Sequence, residues 1–166
     1  MENQTFDYII IGAGPAGLAS AQYAARAGLK CLVLDMAGAG GQVNQITDLE
    51  NYPGVFPTVK GPALMSVMEE QAKSFGAEIQ MVQVTSIDKS GSNYIVTCRN
   101  KTFEAPCLCI ATGAIHRNLG VPGEKEFAGR GVSYCAVCDG PFFRNRRIVV
   151  VGGGDSACSE AVYLST

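Results

Sequence analysis

Charge is what this sequence has least of. Only 17% of its 166 residues are charged and the formal net charge is −2, so there is no broad basic field to hold a nucleic acid. The one dense basic cluster, Arg144, Arg146 and Arg147, reads as solvated surface in a turn before a strand. Long apolar runs are missing as well. The run Tyr8-Ile9-Ile10-Ile11 is far too short to cross a bilayer, and the leading Met1-Glu2-Asn3-Gln4 lacks the basic region of a secretory signal. Neither nucleic acid nor membrane is expected as a partner, and a cytoplasmic home is. Histidine is reduced to His116, which follows the turn Ala111-Thr112-Gly113 and reads as a surface or linker residue rather than a catalytic one.

What is present is apolar residues, at 47%, together with 20 glycines and seven cysteines. That apolar content can bury a substantial core. Five of the cysteines, Cys31, Cys98, Cys107, Cys109 and Cys158, lie in expected strands or a helix, where cysteine behaves as a small buried hydrophobe. They do not form a disulfide framework. A zinc site from Cys107, Cys109, Cys135 and Cys138 would rest on a Cys-x-Cys spacing that suits zinc poorly, so no metal is expected.

The remaining pair, Cys135-Ala136-Val137-Cys138, runs directly into Asp139-Gly140. Two thiols at this spacing can close a small disulfide ring, and each can attack or leave a mixed disulfide while the other resolves it. The pair lies shortly before one glycine-rich nucleotide turn in a chain that opens with another. That combination points to a flavin-linked dithiol/disulfide enzyme.

The first turn belongs to a complete strand–turn–helix–strand unit. Residues Asp7 to Ile11 are expected as a strand, Gly12-Ala13-Gly14-Pro15-Ala16-Gly17 as a phosphate turn, an alanine-rich segment to about Ala27 as a helix, and Lys30 to Asp35 as a second strand. Gly12 permits the tight turn, Gly14 lets the backbone approach a pyrophosphate, and Gly17 lets helix and strand pack closely. Asp35, ending the second strand, is placed to accept hydrogen bonds from a ribose hydroxyl pair.

Pro62 begins a further helix, ended by Gly76, whose apolar positions Leu64, Val67, Met68 and Phe75 are expected to face the core. Alternating segments around Val82 to Ile87, Tyr94 to Cys98 and Thr102 to Glu104 read as a small antiparallel meander, followed by a buried strand from Cys107 to Ala111. The pattern breaks around Leu119-Gly120-Val121-Pro122-Gly123, the best candidate for a linker. Past the thiols, Arg147 to Val151 is expected as a strand leading into a second phosphate turn, Gly152-Gly153-Gly154-Asp155-Ser156-Ala157, and a helix.

These motifs, with Gly40-Gly41-Gln42, Glu50-Asn51-Tyr52-Pro53-Gly54, Ala111-Thr112-Gly113-Ala114 and Pro122-Gly123-Glu124, stand in one order along the chain. In that order and spacing the chain resembles the low-molecular-weight thioredoxin reductases of bacteria, members of the pyridine nucleotide–disulfide oxidoreductase class. The resemblance implies an α/β fold of FAD/NAD(P)-binding, Rossmann-like, three-layer type, with two nucleotide-binding domains. It divides the chain into residues 1–116, the first segment of an FAD domain, and 117–166, the start of an inserted NADPH domain that carries the redox cysteines and is truncated. The family's C-terminal FAD segment and its NADP-selecting motif are not in this sequence.

The resemblance further implies an enzyme that passes electrons from NADPH through FAD to the Cys135/Cys138 disulfide and on to thioredoxin, as a homodimer when full-length. FAD is expected against Gly12, Gly14, Pro15, Ala16, Gly17, Asp35, Gly41, Ala111 and Gly113, with Gln42, Asn51 and Thr112 near the ribityl chain or ring. NADPH is expected at Gly152, Gly154, Asp155, Ser156 and Ala157. Cys138 faces the flavin, Cys135 attacks thioredoxin, Asp139 handles the thiol proton, and Phe142 and Phe143 either dock the partner or pack in the core. Two alternatives stay open: a reductase for a peroxiredoxin or another disulfide protein, and a catalytically inactive FAD-binding remnant.

Overall fold

The computed structural model describes residues 3–165. The chain divides into two compact units, residues 1–114 and 115–166.

The first unit is α/β in three layers. Strands β2 (Tyr8–Ile11), β3 (Cys31–Asp35), β4 (Glu78–Met81) and β8 (Cys107–Ile110) form a parallel sheet in the order β4-β3-β2-β8. A parallel sheet must be covered on both faces, and the alternation of strand side chains decides what covers each. Ile10, Cys31 and Val33 meet helices α1 (Pro15–Arg26) and α2 (Gly61–Ser74) through Leu18, Ala21, Met65, Met68 and Ala72. Ile9, Ile11, Leu32 and Leu34 meet a second sheet through Val96, Cys98 and Phe103, with Phe6 packed in the same cluster. That sheet has the order β1-β7-β6-β5, from β1 (Asn3–Thr5), β7 (Thr102–Ala105), β6 (Asn93–Cys98) and β5 (Val84–Ser90). Its β5, β6 and β7 are the expected antiparallel meander, and β1 joins it in parallel with β7. Each Ile or Leu fully enclosed between layers contributes about 1.5–3 kcal/mol of transfer free energy.

The helix boundaries follow local chemistry. Pro15 opens α1 where a missing N–H costs nothing, and Gly28 closes it with a φ of 84°. Arg26, in the last turn, lies over the Phe75 ring at 5.9 Å. The core face of α2 differs from the expected one. Its buried stripe is Met65, Met68 and Ala72, Leu64 is half-buried, and Val67 and Phe75 are exposed. The reason is the partner: α1 offers Ala21, Ala24 and Ala25, and such close helix contact favours small Ala72 and pliable methionines over a rigid Val67. Two strands escape the pattern, β1 and the polar-looking β4, whose Glu78-Ile79-Gln80-Met81 pairs with β3. Cys31 and Cys98 are buried as expected, but Cys107, on the sheet edge, and Cys158 are exposed.

The second unit contains α3 (Ala136–Asp139), a 3-10 turn (Gly140–Phe143) and α4 (Asp155–Leu164). Among its described residues only Glu124 and Ala136 are buried. The expected strand from Arg147 to Val151 does not form, and Val149 is 80% exposed. Extended backbone becomes a strand only when a neighbour takes up its N–H and C=O groups, and no described segment pairs with this one.

Candidate functional site

The first glycine turn is set by close backbone approaches. Gly12 has a φ of 108°, and a Cβ there would fall 2.2 Å from the Ala111 carbonyl oxygen and 3.1 Å from the Thr112 Cα. A Cβ on Gly17 would fall 1.8 Å from the Gly12 carbonyl oxygen, which is what brings the helix onto the strand. Gly14 is the opposite case, with nothing within 4 Å of its Cβ position. It is the N-cap of α1 and offers no side-chain cap, so the first-turn amides, beginning beyond Pro15 with Ala16, receive no cap from it. Uncapped helix starts of this kind are able to receive an anion.

Three further segments close around this turn. Asp35 accepts from the Ala13 amide through Oδ2 and from the Ala37 amide through Oδ1, both at 2.8 Å. A carboxylate has about four acceptor positions, so binding the turn leaves it acceptor capacity. The Gly40 amide donates to the Ala13 carbonyl, and the Cβ position of Gly41 lies 3.4 Å from the Gly14 Cα. The Gln42 side-chain amide donates to the Ala114 carbonyl, tying this loop to the one holding Ala111, Thr112 and Gly113. Gly61 anchors the same loop from below: its amide donates to Ile46, and a Cβ there would strike the Val43 carbonyl at 1.9 Å. Asn51, also expected here, is exposed in the loop before α2.

The second turn repeats the first within the other unit. Gly152 has a φ of 131°, Gly154 is an uncapped N-cap with nothing near its Cβ position, and Asp155, Ser156 and Ala157 open α4.

The thiols form a disulfide, Cys135–Cys138, with the Cα atoms 5.3 Å apart. Cys135 is the N-cap of α3, and its Sγ accepts from the Cys138 amide at 3.2 Å. The Ser133 hydroxyl accepts from the Cys135 amide at 3.1 Å and donates to the Cys135 carbonyl at 3.3 Å. The Asp139 amide also donates to that carbonyl, but its carboxylate does not cap the 3-10 turn that follows. Cys138 is exposed and Cys135 half-buried. The burial that pushes the Cys31 thiol up to about 11 marks a contrasting, unreactive sulfur.

Residues 6–166 match the family model described as pyridine nucleotide-disulphide oxidoreductase. The chain belongs to that family. Among its relatives, the thioredoxin reductase of Treponema pallidum (strain Nichols) is 51% identical over 160 residues, 96% of this chain and 52% of that protein. The thioredoxin reductase of Bacillus subtilis (strain 168) is 48% identical over 164 residues, 99% of this chain and 52% of that protein. The solved thioredoxin reductase of Streptococcus pyogenes MGAS5005 superposes with a TM-score of 0.89 at 46% identity, covering 99% of this chain and 53% of that one. The chain thus spans about half the length of the curated relatives it matches.

This family member also carries contacts that the sequence reading passed over. Ala13 and Gly40 tie the first turn to its surroundings. In the second unit, the buried Glu124 carboxylate accepts from the Leu119 amide at 2.7 Å, the Gly120 amide at 2.6 Å and the Tyr134 hydroxyl. A carboxylate directly after Pro122-Gly123, where a turn presents free amides, was the available signal.

Proposed function

We propose that the chain contributes the redox-active part of a flavin-dependent disulfide reductase, taking electrons from NADPH through FAD to Cys135–Cys138 and on to thioredoxin. One observation carries the reading: a Cys-x-x-Cys disulfide at a helix start, with Cys138 exposed, on a chain that also builds an uncapped glycine turn with open space at Gly14.

The residues of the first unit suit FAD. The amides after Gly14 receive its pyrophosphate, Asp35 has acceptor positions left for a ribose, and the tied loops holding Gly41, Gln42, Ala111, Thr112 and Gly113 border the same space, with Asn51 assigned there by family resemblance. Gly152, Gly154, Asp155, Ser156 and Ala157 offer NADPH the same kind of helix start. Bound FAD supplies two-electron chemistry between the nicotinamide and the disulfide.

In the reduced pair, the Cys138 amide remains positioned to donate to the Cys135 sulfur, which favours the thiolate and so the nucleophile. Cys135 attacks one sulfur of the partner's disulfide and expels the other as a thiolate. Cys138 then attacks Cys135 in the mixed disulfide, closing the ring and releasing the reduced partner. Asp139, uncommitted to capping, holds or releases the thiol proton. Cys138 is the sulfur offered to the flavin. Phe142, 72% exposed, extends the docking surface beside the thiols. The assignments of homodimer and cytoplasm follow the same family reading.

In the full-length protein, Cys138→Ser is expected to keep FAD and accept hydride from NADPH while losing reduction of thioredoxin. Normal turnover by that variant would defeat the proposed route. Faster reduction of a peroxiredoxin than of thioredoxin by the unaltered protein would reassign the partner.

A further inference from the structure

The Glu124 cluster lies in the segment that precedes the thiols. Oε1 of Glu124 takes both the Leu119 amide and the Tyr134 hydroxyl, while Oε2 takes the Gly120 amide. Glu124 as a residue is only 7% exposed. A buried anion is tolerated when its acceptor positions are filled by donors, and here those donors come from two stretches of chain. Leu119 and Gly120 belong to the linker turn; Tyr134 is the residue directly before Cys135. The linker holds Tyr134 a second time, because the His116 ring stacks on the Tyr134 ring at 3.5 Å and an interplanar angle of 17°. The Tyr134 hydroxyl, followed by the Leu119 amide, holds the Glu124 carboxyl below the usual glutamate range, and the same bond pushes Tyr134 up.

Ser133 and Cys135, on either side of Tyr134, bond to each other through the Ser133 hydroxyl. A tyrosine fixed at its ring face and at its hydroxyl, within a chain segment closed by its own hydrogen bonds, leaves the following residue little freedom. We propose that Glu124 is a positioning residue for the Cys135–Cys138 pair, locking Tyr134 to the Leu119–Gly120 turn so that thiols and linker keep one fixed relation. The proposal rests on the disulfide-reductase reading. It assigns Glu124 no contact with any substrate.

The test compares Glu124→Gln and the milder Tyr134→Phe, which deletes a single oxygen, in the full-length protein. Amide hydrogen exchange at Leu119 and Gly120 reads the lock itself; kcat and KM for a protein disulfide, with oxidised thioredoxin as the probe, read its consequence. Small misplacements of reacting groups cost on the order of 10- to 100-fold in rate. Both variants are expected to exchange faster at these two amides, and to lose about that factor in kcat with KM unchanged. Faster exchange with unaltered kcat would mean that Glu124 merely holds the turn, and the proposal falls. A lower kcat with unaltered exchange would also overturn it, since no lock would have been opened. If the unaltered protein reduces no protein disulfide, the functional reading fails and takes the proposal with it; failure of the proposal alone leaves that protein active.

Discussion

The two glycine turns of this chain have almost the same backbone and opposite surroundings. At the N-caps, Gly14 has φ and ψ of −74° and −177°, and Gly154 has −86° and 176°. Each follows a glycine with a large positive φ, Gly12 or Gly152, and each opens an uncapped helix. Yet Ile9 and Ile10, before the first turn, are fully buried, whereas Val149, before the second, is 80% exposed. The turn is therefore a local product of where glycines fall. The strand feeding it is not, because it depends on neighbours that, among the described residues, the first unit supplies in β3 and β8.

The largest expected contrast is in hydrogen exchange. In the 166-residue chain, amides of residues 8–11 should exchange only through global opening, on the order of a thousandfold or more slower than those of residues 147–151. Comparable protection at both would show that the second segment is paired after all.

Substitution should separate the turns next. Gly17→Ala places a methyl against the Gly12 carbonyl and should cost about 3 kcal/mol or more in urea unfolding of the first unit. At the matching place the second turn already carries Ala157, and Gly154→Ala, with open space around it, should change stability by no more than about 0.5 kcal/mol. Equal costs would mean that packing does not distinguish the turns.

A subtler effect is expected at Gly14, whose Cβ position is also open. Gly14→Ala should leave the melting temperature nearly unchanged yet weaken FAD binding about tenfold or more, by putting a methyl where a pyrophosphate would approach. Unaltered retention of flavin would place the cofactor elsewhere.

The smallest contrast concerns protons. The Glu124 carboxyl is lower in the folded unit than unfolded, so its contribution is present above the ordinary glutamate value of about 4.3 and is lost as pH falls through the folded value. Exchange at Leu119 and Gly120, after correction for intrinsic rates, should rise with acid, and Glu124→Gln should abolish that rise. Cys31 runs the other way. Raised to about 11 by burial, from 9.0, it is without effect below 9 and weakens the first unit as pH rises toward 11.

How much of this was legible beforehand follows the same division. The first βαβ unit, its three glycines and the meander could be read because hydrophobic period and turn residues agreed there. The buried face of α2 could not, since Val67 and Ala72 compete for it and the outcome depends on the alanines of α1. Strand β4 was hidden by Glu78 and Gln80, polar residues that an edge strand tolerates. Residues 147–151 misled for the converse reason: their composition is that of a strand, but pairing is not written in a single segment. At the site, the disulfide spacing was plain, while the Glu124 clamp joins residues whose connection appears only once the chain is folded.

The hydrogen bonds around the disulfide have one more consequence. Those from Ser133 to Cys135, from Cys138 to Cys135 and from Asp139 to Cys135 all begin and end within seven consecutive residues. Apart from the Tyr134 contacts with Glu124 and His116, the backbone around the disulfide is held by bonds that belong to the loop itself. The ring geometry of Cys135–Cys138 is therefore set within a short stretch of chain, while the contacts through Tyr134 join that stretch to the linker.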